Sequence, residues 1–178
     1  MDAIHELKTR AEILHRRIQT NDHRAVGRLR VLPQFRRASY EKLAAATGTI
    51  QRRDCLAVIA VELGFDSWPQ AKTVITGAAL VEDFGTMLYP GHHCAGHINR
   101  WYKTYEEAAE DRESSGGYLL AYKRQYVVVD RYFIESLGLD PADPDWEALG
   151  FDWVRPKSVA ARSRFYARLV AGLPREAA

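Results

Sequence analysis

The sequence predicts a predominantly helical α+β protein, with a basic module of about five helices followed by a small α+β domain with few strands. In the first 77 residues, apolar side chains recur at three- and four-residue steps, which is the period of an amphipathic helix. In the second half, residues 126–129 form one strong run of β-formers. The chain of 178 residues is 47% hydrophobic and 11% aromatic, which is enough to bury a core. We divide it into a module over 1–77, a linker over 78–85 and a domain over 86–178.

Four helices of the N-terminal module are predicted from a capping residue with apolar side chains behind it, and the fourth in chain order is predicted from an apolar run. The predicted starts and ends are Asp2 to about Ile18, Asn21-Asp22 to before Pro33, Ser39 to about Gly48, Gln51 to Leu63, and Ser67 to about Gly77. The fourth helix contains an apolar run over 56–61 and should be the buried one, with Cys55 in the core. Gly64 stands where a left-handed residue ends that helix, and Phe65 follows as its hydrophobic partner.

The end of this module carries a distinctive run with the pattern I-A-x-E-x-G-F-x-S-W-P-x-x-K. The matching residues are Ile59, Ala60, Glu62, Gly64, Phe65, Ser67, Trp68, Pro69 and Lys72. Over about residues 20–76 the chain resembles a short helical module found near the N-terminus of bacterial ankyrin-repeat and uncharacterised proteins. The resemblance implies a bacterial origin and a helical packing unit, and it implies no activity. No ankyrin repeat follows in this sequence.

In the second half, short strands and helices alternate irregularly. A short strand is predicted over Gly85–Tyr89, and a capping box of Thr104 and Glu107 predicts a helix to about Arg112. Residues 118–129 are expected to form one strand. Further helices should begin after Asp130, after Asp143-Pro144 and after Ser158, the last ending near Leu173. The acidic residues Asp140, Asp143, Asp145 and Glu147 are interpreted as helix caps, because a calcium loop would need a turn glycine and a terminal glutamate.

Composition excludes several classes of protein. Two cysteines do not make a disulfide scaffold, and the chain has neither an apolar run near 18 residues nor a cleavable apolar leader. We therefore expect a cytoplasmic protein without a membrane segment. No glycine-rich phosphate loop follows a predicted strand, which argues against the common nucleotide-binding folds.

Charge is distributed unevenly along the chain. Residues 1–53 hold 12 lysines and arginines against 5 acidic residues, whereas residues 54–178 hold 13 against 18. The basic end predicts contact with nucleic acid or an acidic protein partner, or docking on the acidic half of the same chain or of a second copy. The predicted contact residues are Arg16, Arg17, Arg24, Arg28, Arg36, Arg37, Arg52, Arg53 and Lys72. A helix-turn-helix with Gln70 and Lys72 reading bases is disfavoured, because Trp68 and Pro69 occupy its leading face.

A histidine cluster is the densest candidate site for chemistry. His92, His93, Cys94 and His97 are ligand types that zinc or another transition metal uses, with Asp130 or Glu135 as candidate further ligands. Alternatively, Cys94 is a nucleophile with His93 or His97 as its base. A third interpretation is a turn whose histidines bond to backbone and whose Cys94 is buried. These residues carry the alternative to a non-catalytic binding or regulatory protein, namely an enzyme or sensor.

A tyrosine-rich segment is the third candidate site. If residues 118–129 form one strand, alternation places Tyr118, Tyr122, Arg124 and Tyr126 on one face. Such a face could line a pocket for an anionic or aromatic ligand, or stack single-stranded bases. The competing interpretation is that the tyrosines are half-buried packing residues.

Overall fold

The computed structural model describes residues 2–77, 81–90, 97 and 99–173. Within them the chain forms nine α-helices and one three-stranded antiparallel sheet, which confirms the helical α+β class. The elements are α1 (Ala3–Gln19), α2 (His23–Arg28), α3 (Tyr40–Ala46), α4 (Arg52–Glu62), α5 (Trp68–Thr76), β1 (Arg100–Tyr102), α6 (Tyr105–Ser115), β2 (Tyr118–Tyr122), β3 (Gln125–Val129), α7 (Arg131–Ser136), α8 (Asp145–Leu149) and α9 (Val159–Gly172). Short 3-10 turns cover Leu29–Val31, Pro33–Phe35 and Thr47–Thr49.

The five predicted N-terminal helices are confirmed, together with their side-chain caps. The Asp22 carboxylate accepts the Ala25 N–H at 2.9 Å, and the side chains of Asp2, Ser39 and Ser67 cap α1, α3 and α5 in the same way. Each cap satisfies a backbone donor that the first helical turn leaves unpaired. Local sequence therefore determines where these helices begin.

Gly64 ends α4 as predicted, and the fold requires glycine there for two reasons. Its φ is +85°, a region that favours glycine, and a Cβ at this position would lie 1.9 Å from Thr86 Oγ1. The Thr86 N–H donates to the Gly64 carbonyl at 2.8 Å. The turn between α4 and α5 therefore binds the segment around Thr86.

The predicted strand over Gly85–Tyr89 is wrong, because this segment forms a turn. The Tyr89 N–H donates back to the Thr86 carbonyl at 3.0 Å, while Thr86 itself is held by the helix turn at Gly64. The strand that sequence analysis missed is β1, whose Trp101 lies opposite Val127 of β3.

A single strand over residues 118–129 is also wrong, since this segment is a hairpin. Lys123 and Arg124 form its two-residue turn, with Lys123 at a φ of +53°. Leu120 then lies opposite Val127, and Tyr122 lies opposite Gln125. The usual Asn-Gly or Asp-Gly signal of such a turn is absent here, so the sequence pattern resembles one continuous strand.

The remaining predicted helices are confirmed with small differences in length. The capping box of Thr104 and Glu107 opens α6, which continues to Ser115. Asp130 caps α7 and Ser158 caps α9, while α8 begins at Asp145, just after Pro144. These starts again follow from short-range polar contacts.

One continuous hydrophobic core joins the two halves. It includes α1 residues such as Leu7 and Leu14, the predicted core residue Cys55, and Phe165 of α9. Helix α1 packs against both α4 and α9. The division of the chain at 78–85 stays a prediction, and residues 78–80 lie outside the described part. Among the described helices, none combines the length and apolar character needed to cross a bilayer.

Candidate functional site

Two of the predicted contact arginines share one carboxylate on α1. Glu12 accepts a hydrogen bond from Arg16 one turn later, and Arg52 at the start of α4 lies 3.6 Å from its other oxygen. The hydrogen bond from Arg16 is the main reason why the pKa of Glu12 is lowered. This pairing holds two guanidinium groups side by side on the surface.

Three further predicted arginines surround one cavity of about 370 Å³. Arg17 from α1 and Arg24 and Arg28 from α2 line it, together with Asp22. The Arg28 guanidinium is held by both oxygens of Glu62, at 2.9 Å from Nε and 2.5 Å from Nη2. We call the surface formed by Arg17, Arg24 and Arg28 the α1–α2 basic face.

The other predicted cations lie apart from this cavity. Like Arg17, these cations are exposed, and their side chains make no ion pair or hydrogen bond within the described residues. They are Arg36, Arg37, Arg53 and Lys72. They are distributed over the segment before α3, the start of α4 and the middle of α5. The structure therefore groups five of the nine predicted contact residues in two sets. Arg16 and Arg52 share Glu12, while Arg17, Arg24 and Arg28 line the cavity.

Gln70, which a base-reading helix would present outward, is engaged inside the molecule. Its Oε1 accepts the Asp66 N–H at 2.6 Å, and its Nε2 donates to the Asp83 carbonyl at 3.1 Å. This observation argues further against base reading by α5.

Only one member of the histidine cluster lies in the described part of the chain, because His92, His93 and Cys94 fall outside it. The His97 side chain is 19% exposed, and its Nδ1 lies 4.0 Å from Asp130 Oδ1. Asp130 also accepts the Phe133 N–H at 2.9 Å as the cap of α7. Glu135, the other candidate ligand, pairs instead with Arg131 at 3.4 Å. Among the described residues, no three His, Cys, Asp or Glu side chains form a group that could hold a metal ion.

An aromatic cluster adjoins His97. The Tyr89 ring lies 4.8 Å from Trp101, 5.7 Å from Tyr122 and 4.9 Å from Phe133, measured between ring centroids. His97 packs on the edge of Phe133 at 5.5 Å. The sequence pattern does not predict this cluster, because the cluster depends on the unpredicted strand β1 and on the turn at Tyr89.

The four residues of the predicted tyrosine face do not share a face. Tyr118 and Tyr122 lie on one face of β2, as the alternation predicts, where Tyr118 donates to the Pro141 carbonyl at 2.9 Å and Tyr122 joins the aromatic cluster. Tyr126 lies on the opposite side of the hairpin, and Arg124 stands in its exposed turn. The physical reason is the hairpin, since reversing the chain at Lys123 breaks the alternation on which the prediction rests.

A second cavity of about 430 Å³ lies where α5, the segment 81–84, β3 and α9 meet. Its lining includes Tyr126, Arg155 and the buried Arg162. The sequence patterns did not single out Arg162. The only available signal was its position three and four residues before Phe165 and Tyr166, which places it on the buried side of α9.

Cys55 is the described cysteine, and its surroundings make it unreactive. It is fully buried at the start of α4. Burial, with a smaller contribution from Asp54, raises the pKa of its thiol to about 11. Because the thiolate is the reactive form, this residue carries no candidate chemistry.

Comparison of the chain with protein-family models, with curated proteins and with solved structures gives no match. The resemblance of residues 20–76 to the bacterial helical module therefore stays a prediction, and the function has to be argued from the sites themselves.

Proposed function

We propose that this protein is a non-catalytic, cytoplasmic binding protein whose α1–α2 basic face contacts the phosphate backbone of nucleic acid. The observation that carries the proposal is the cavity lined by Arg17, Arg24 and Arg28. Guanidinium groups present paired N–H donors that match phosphate oxygens. Glu62 fixes Arg28 by accepting from its Nε and Nη2, so Arg28 can offer a phosphate only its remaining N–H donors.

The spread of positive charge favours a polymer over a single anion. Outside the cavity, Glu12 on α1 holds Arg16 and Arg52, and Arg53 follows on α4 with no ion pair in the described part of the chain. A nucleic-acid backbone offers a row of phosphates, so several separated cations can each neutralise one charge. An acidic protein partner is the competing candidate, and the binding experiment distinguishes the two.

We expect this contact to be independent of base sequence. Phosphate contacts position a protein but carry no sequence information, and Gln70 is occupied by Asp66 and Asp83. The face would therefore act as a docking surface, with any selectivity supplied elsewhere.

Fluorescence anisotropy with a labelled mixed-sequence DNA duplex tests the proposal. We expect the affinity to fall steeply between about 50 mM and 200 mM salt, because binding releases counterions. The double variant Arg17→Gln/Arg24→Gln should bind more weakly and should reduce the salt slope by about 2, one for each phosphate contact removed.

The matched control is Lys8→Gln/Lys103→Gln, which removes the same charge from two exposed positions outside the face. It should change the affinity little. Equal losses in both variants, or unchanged binding when Arg16, Arg17, Arg52 and Arg53 are all neutralised, would contradict the proposal. Binding to polyglutamate but not to DNA would indicate the acidic protein partner instead.

A second candidate function, a metal-dependent or Cys94-dependent enzyme or sensor, is favoured by the approach of His97 to Asp130. At 4.0 Å the His97 Nδ1 and the Asp130 carboxylate are near neighbours without a hydrogen bond, so the ring must move closer before Asp130 can orient it toward a metal or a thiol. Elemental analysis of tag-free protein purified without chelator tests the metal version. Stoichiometric zinc that is lost in His97→Ala would support it, and metal-free folded protein would contradict it.

A further inference from the structure

Arg162 is a buried arginine without a carboxylate partner. It lies in the first turn of α9 and is only 6% exposed. Its Nη1 donates to the Trp153 carbonyl at 3.0 Å, but its Nε finds no acceptor. Within the described residues, no Asp or Glu oxygen lies within ion-pair distance of its guanidinium group.

Such a charge is expensive to bury. Burying a cation is tolerated when an anion and further hydrogen bonds replace the water that it loses. One neutral carbonyl does not replace that water, and the positive end of the α9 dipole lies close by. The site therefore lacks a negative group.

The guanidinium faces a cavity that could admit that group. The cavity of about 430 Å³ has apolar walls formed by residues such as Phe84, Val154 and Val159, with Arg155 also in its lining. Its size falls within the range of about 300–1,000 Å³ that is usual for small-molecule sites. The combination of apolar walls with one buried cation suits an amphipathic anion.

Two features show that the site is built into the fold. Gly77 leaves room for the guanidinium, because its φ is +68° and a Cβ there would lie 2.0 Å from Arg162 Nη2. On the other wall, Asp152 Oδ1 accepts the N–H groups of Val154 and Arg155 at 2.8 and 2.9 Å. The Asp152 carboxylate is itself held by the Tyr105 hydroxyl, so this wall is fixed.

We propose that this cavity binds a small organic carboxylate with an apolar body, and that Arg162 is its anchor. Trp153 occupies Nη1 and Nε is enclosed by protein, so Nη2 is the donor left for a ligand. A charge-assisted hydrogen bond from Nη2 to a carboxylate oxygen is stronger than one between neutral groups. The apolar body then packs against Phe84, Val154 and Val159, which lie on the cavity walls. This site is separate from the α1–α2 basic face and does not depend on the function proposed for it.

Isothermal titration with phenylacetate, compared with the neutral phenylacetamide, tests the proposal on the full chain. We expect phenylacetate to bind the wild-type protein at least about tenfold more tightly than the amide, because only the acid supplies the missing charge. Arg162→Met keeps the volume and should weaken phenylacetate binding by about tenfold or more. Absence of phenylacetate binding to the wild type, or equal binding to folded Arg162→Met, would overturn the proposal.

A second pair of variants tests the place of binding without touching the charge. Val159 lines the cavity and is 50% exposed, so Val159→Phe should fill the cavity while the protein still folds. The neighbouring exposed Ala160 is not among the lining residues, and Ala160→Phe is the matched control. We expect phenylacetate binding to be lost only in Val159→Phe. Retained binding in that variant, or equal losses in both, would overturn the assignment to this cavity.

Discussion

The two ends of helix α9 each bury one arginine, in opposite electrostatic settings. Arg10 of α1 reaches the C-terminal end of α9, is 5% exposed, and donates to the Glu6 carboxylate at 2.9 Å and to the Val170 carbonyl at 2.9 Å. Arg162 at the N-terminal end is 6% exposed and donates to one carbonyl. The two arginines are thus equally buried, but the charge of Arg10 is balanced by a carboxylate, whereas Arg162 donates only to a neutral carbonyl.

The helix dipole sharpens the contrast. A cation is favoured at the carbonyl end of a helix and disfavoured at its amide end. Arg10 therefore stabilises the fold by joining α1 to α9, whereas Arg162 costs free energy until an anion binds. The partners of a buried charge, and not its burial alone, therefore indicate whether it serves stability or binding.

The largest expected effect on stability is at Arg10, which lies at the C-terminal end of α9. Arg10→Met should lower the free energy of unfolding by about 2–3 kcal/mol, because it breaks a buried ion pair and leaves the end carbonyls of α9 without their donor. Urea denaturation followed by circular dichroism measures this loss. A change below about 0.5 kcal/mol, which is the size expected for an ordinary surface substitution, would contradict the structural role of Arg10.

A smaller effect is expected where α8 packs against the middle of α9. Asp145 is buried, accepts hydrogen bonds from Arg164 and lies 3.1 Å from Arg168. The hydrogen bond from Arg164 is the main cause of the lowered pKa of Asp145. Because the folded-state pKa lies below the unfolded value of about 3.9, the stabilisation is complete above that pH and is lost as the pH falls through the folded-state pKa.

Asp145→Asn should therefore be less stable than the wild type by about 1 kcal/mol at pH 7, a value kept small because both arginines are half exposed. The difference should shrink as the pH falls below about 4. Urea denaturation at a series of pH values measures it. A difference that is constant with pH would show that the charge of Asp145 contributes nothing at this contact.

The smallest stability change is expected at the uncompensated end. Arg162→Met in the absence of any anion should leave the free energy of unfolding within about 1 kcal/mol of the wild type, since an unpaired buried charge is replaced by an apolar side chain of similar size. Urea denaturation in anion-poor buffer measures it against Arg10→Met. A loss of stability as large as that of Arg10→Met would contradict the distinction between the two arginines, because both would then stabilise the fold.

Local signals predicted the elements of this fold better than its sites. The caps at Asp22, Thr104 and Ser158 could be identified because each bonds to a backbone N–H only three residues away. The hairpin turn at Lys123 could not, because its left-handed conformation is imposed by the pairing of β2 with β3 and has no glycine or asparagine to mark it.

The candidate sites divide in the same way. The basic character of the first 53 residues follows directly from composition, whereas residue type left Asp130 and Glu135 as equal candidates to join His97. That Arg17, Arg24 and Arg28 surround one cavity, or that Tyr126 lies apart from Tyr122, depends on how separate elements pack. No local pattern contains that information.

In this protein, short-range sequence patterns predict the helical α+β class and the places where the helices begin, because both depend on neighbours within about one helical turn. The charge asymmetry follows from composition alone. Only the tertiary structure decides which groups the two buried arginines contact. Arg10 finds the Val170 carbonyl 160 positions away along the chain, whereas Arg162 meets an apolar cavity at Phe84 and Val154. Whether a buried charge is compensated depends on groups brought together by packing, and packing is a property of the whole fold.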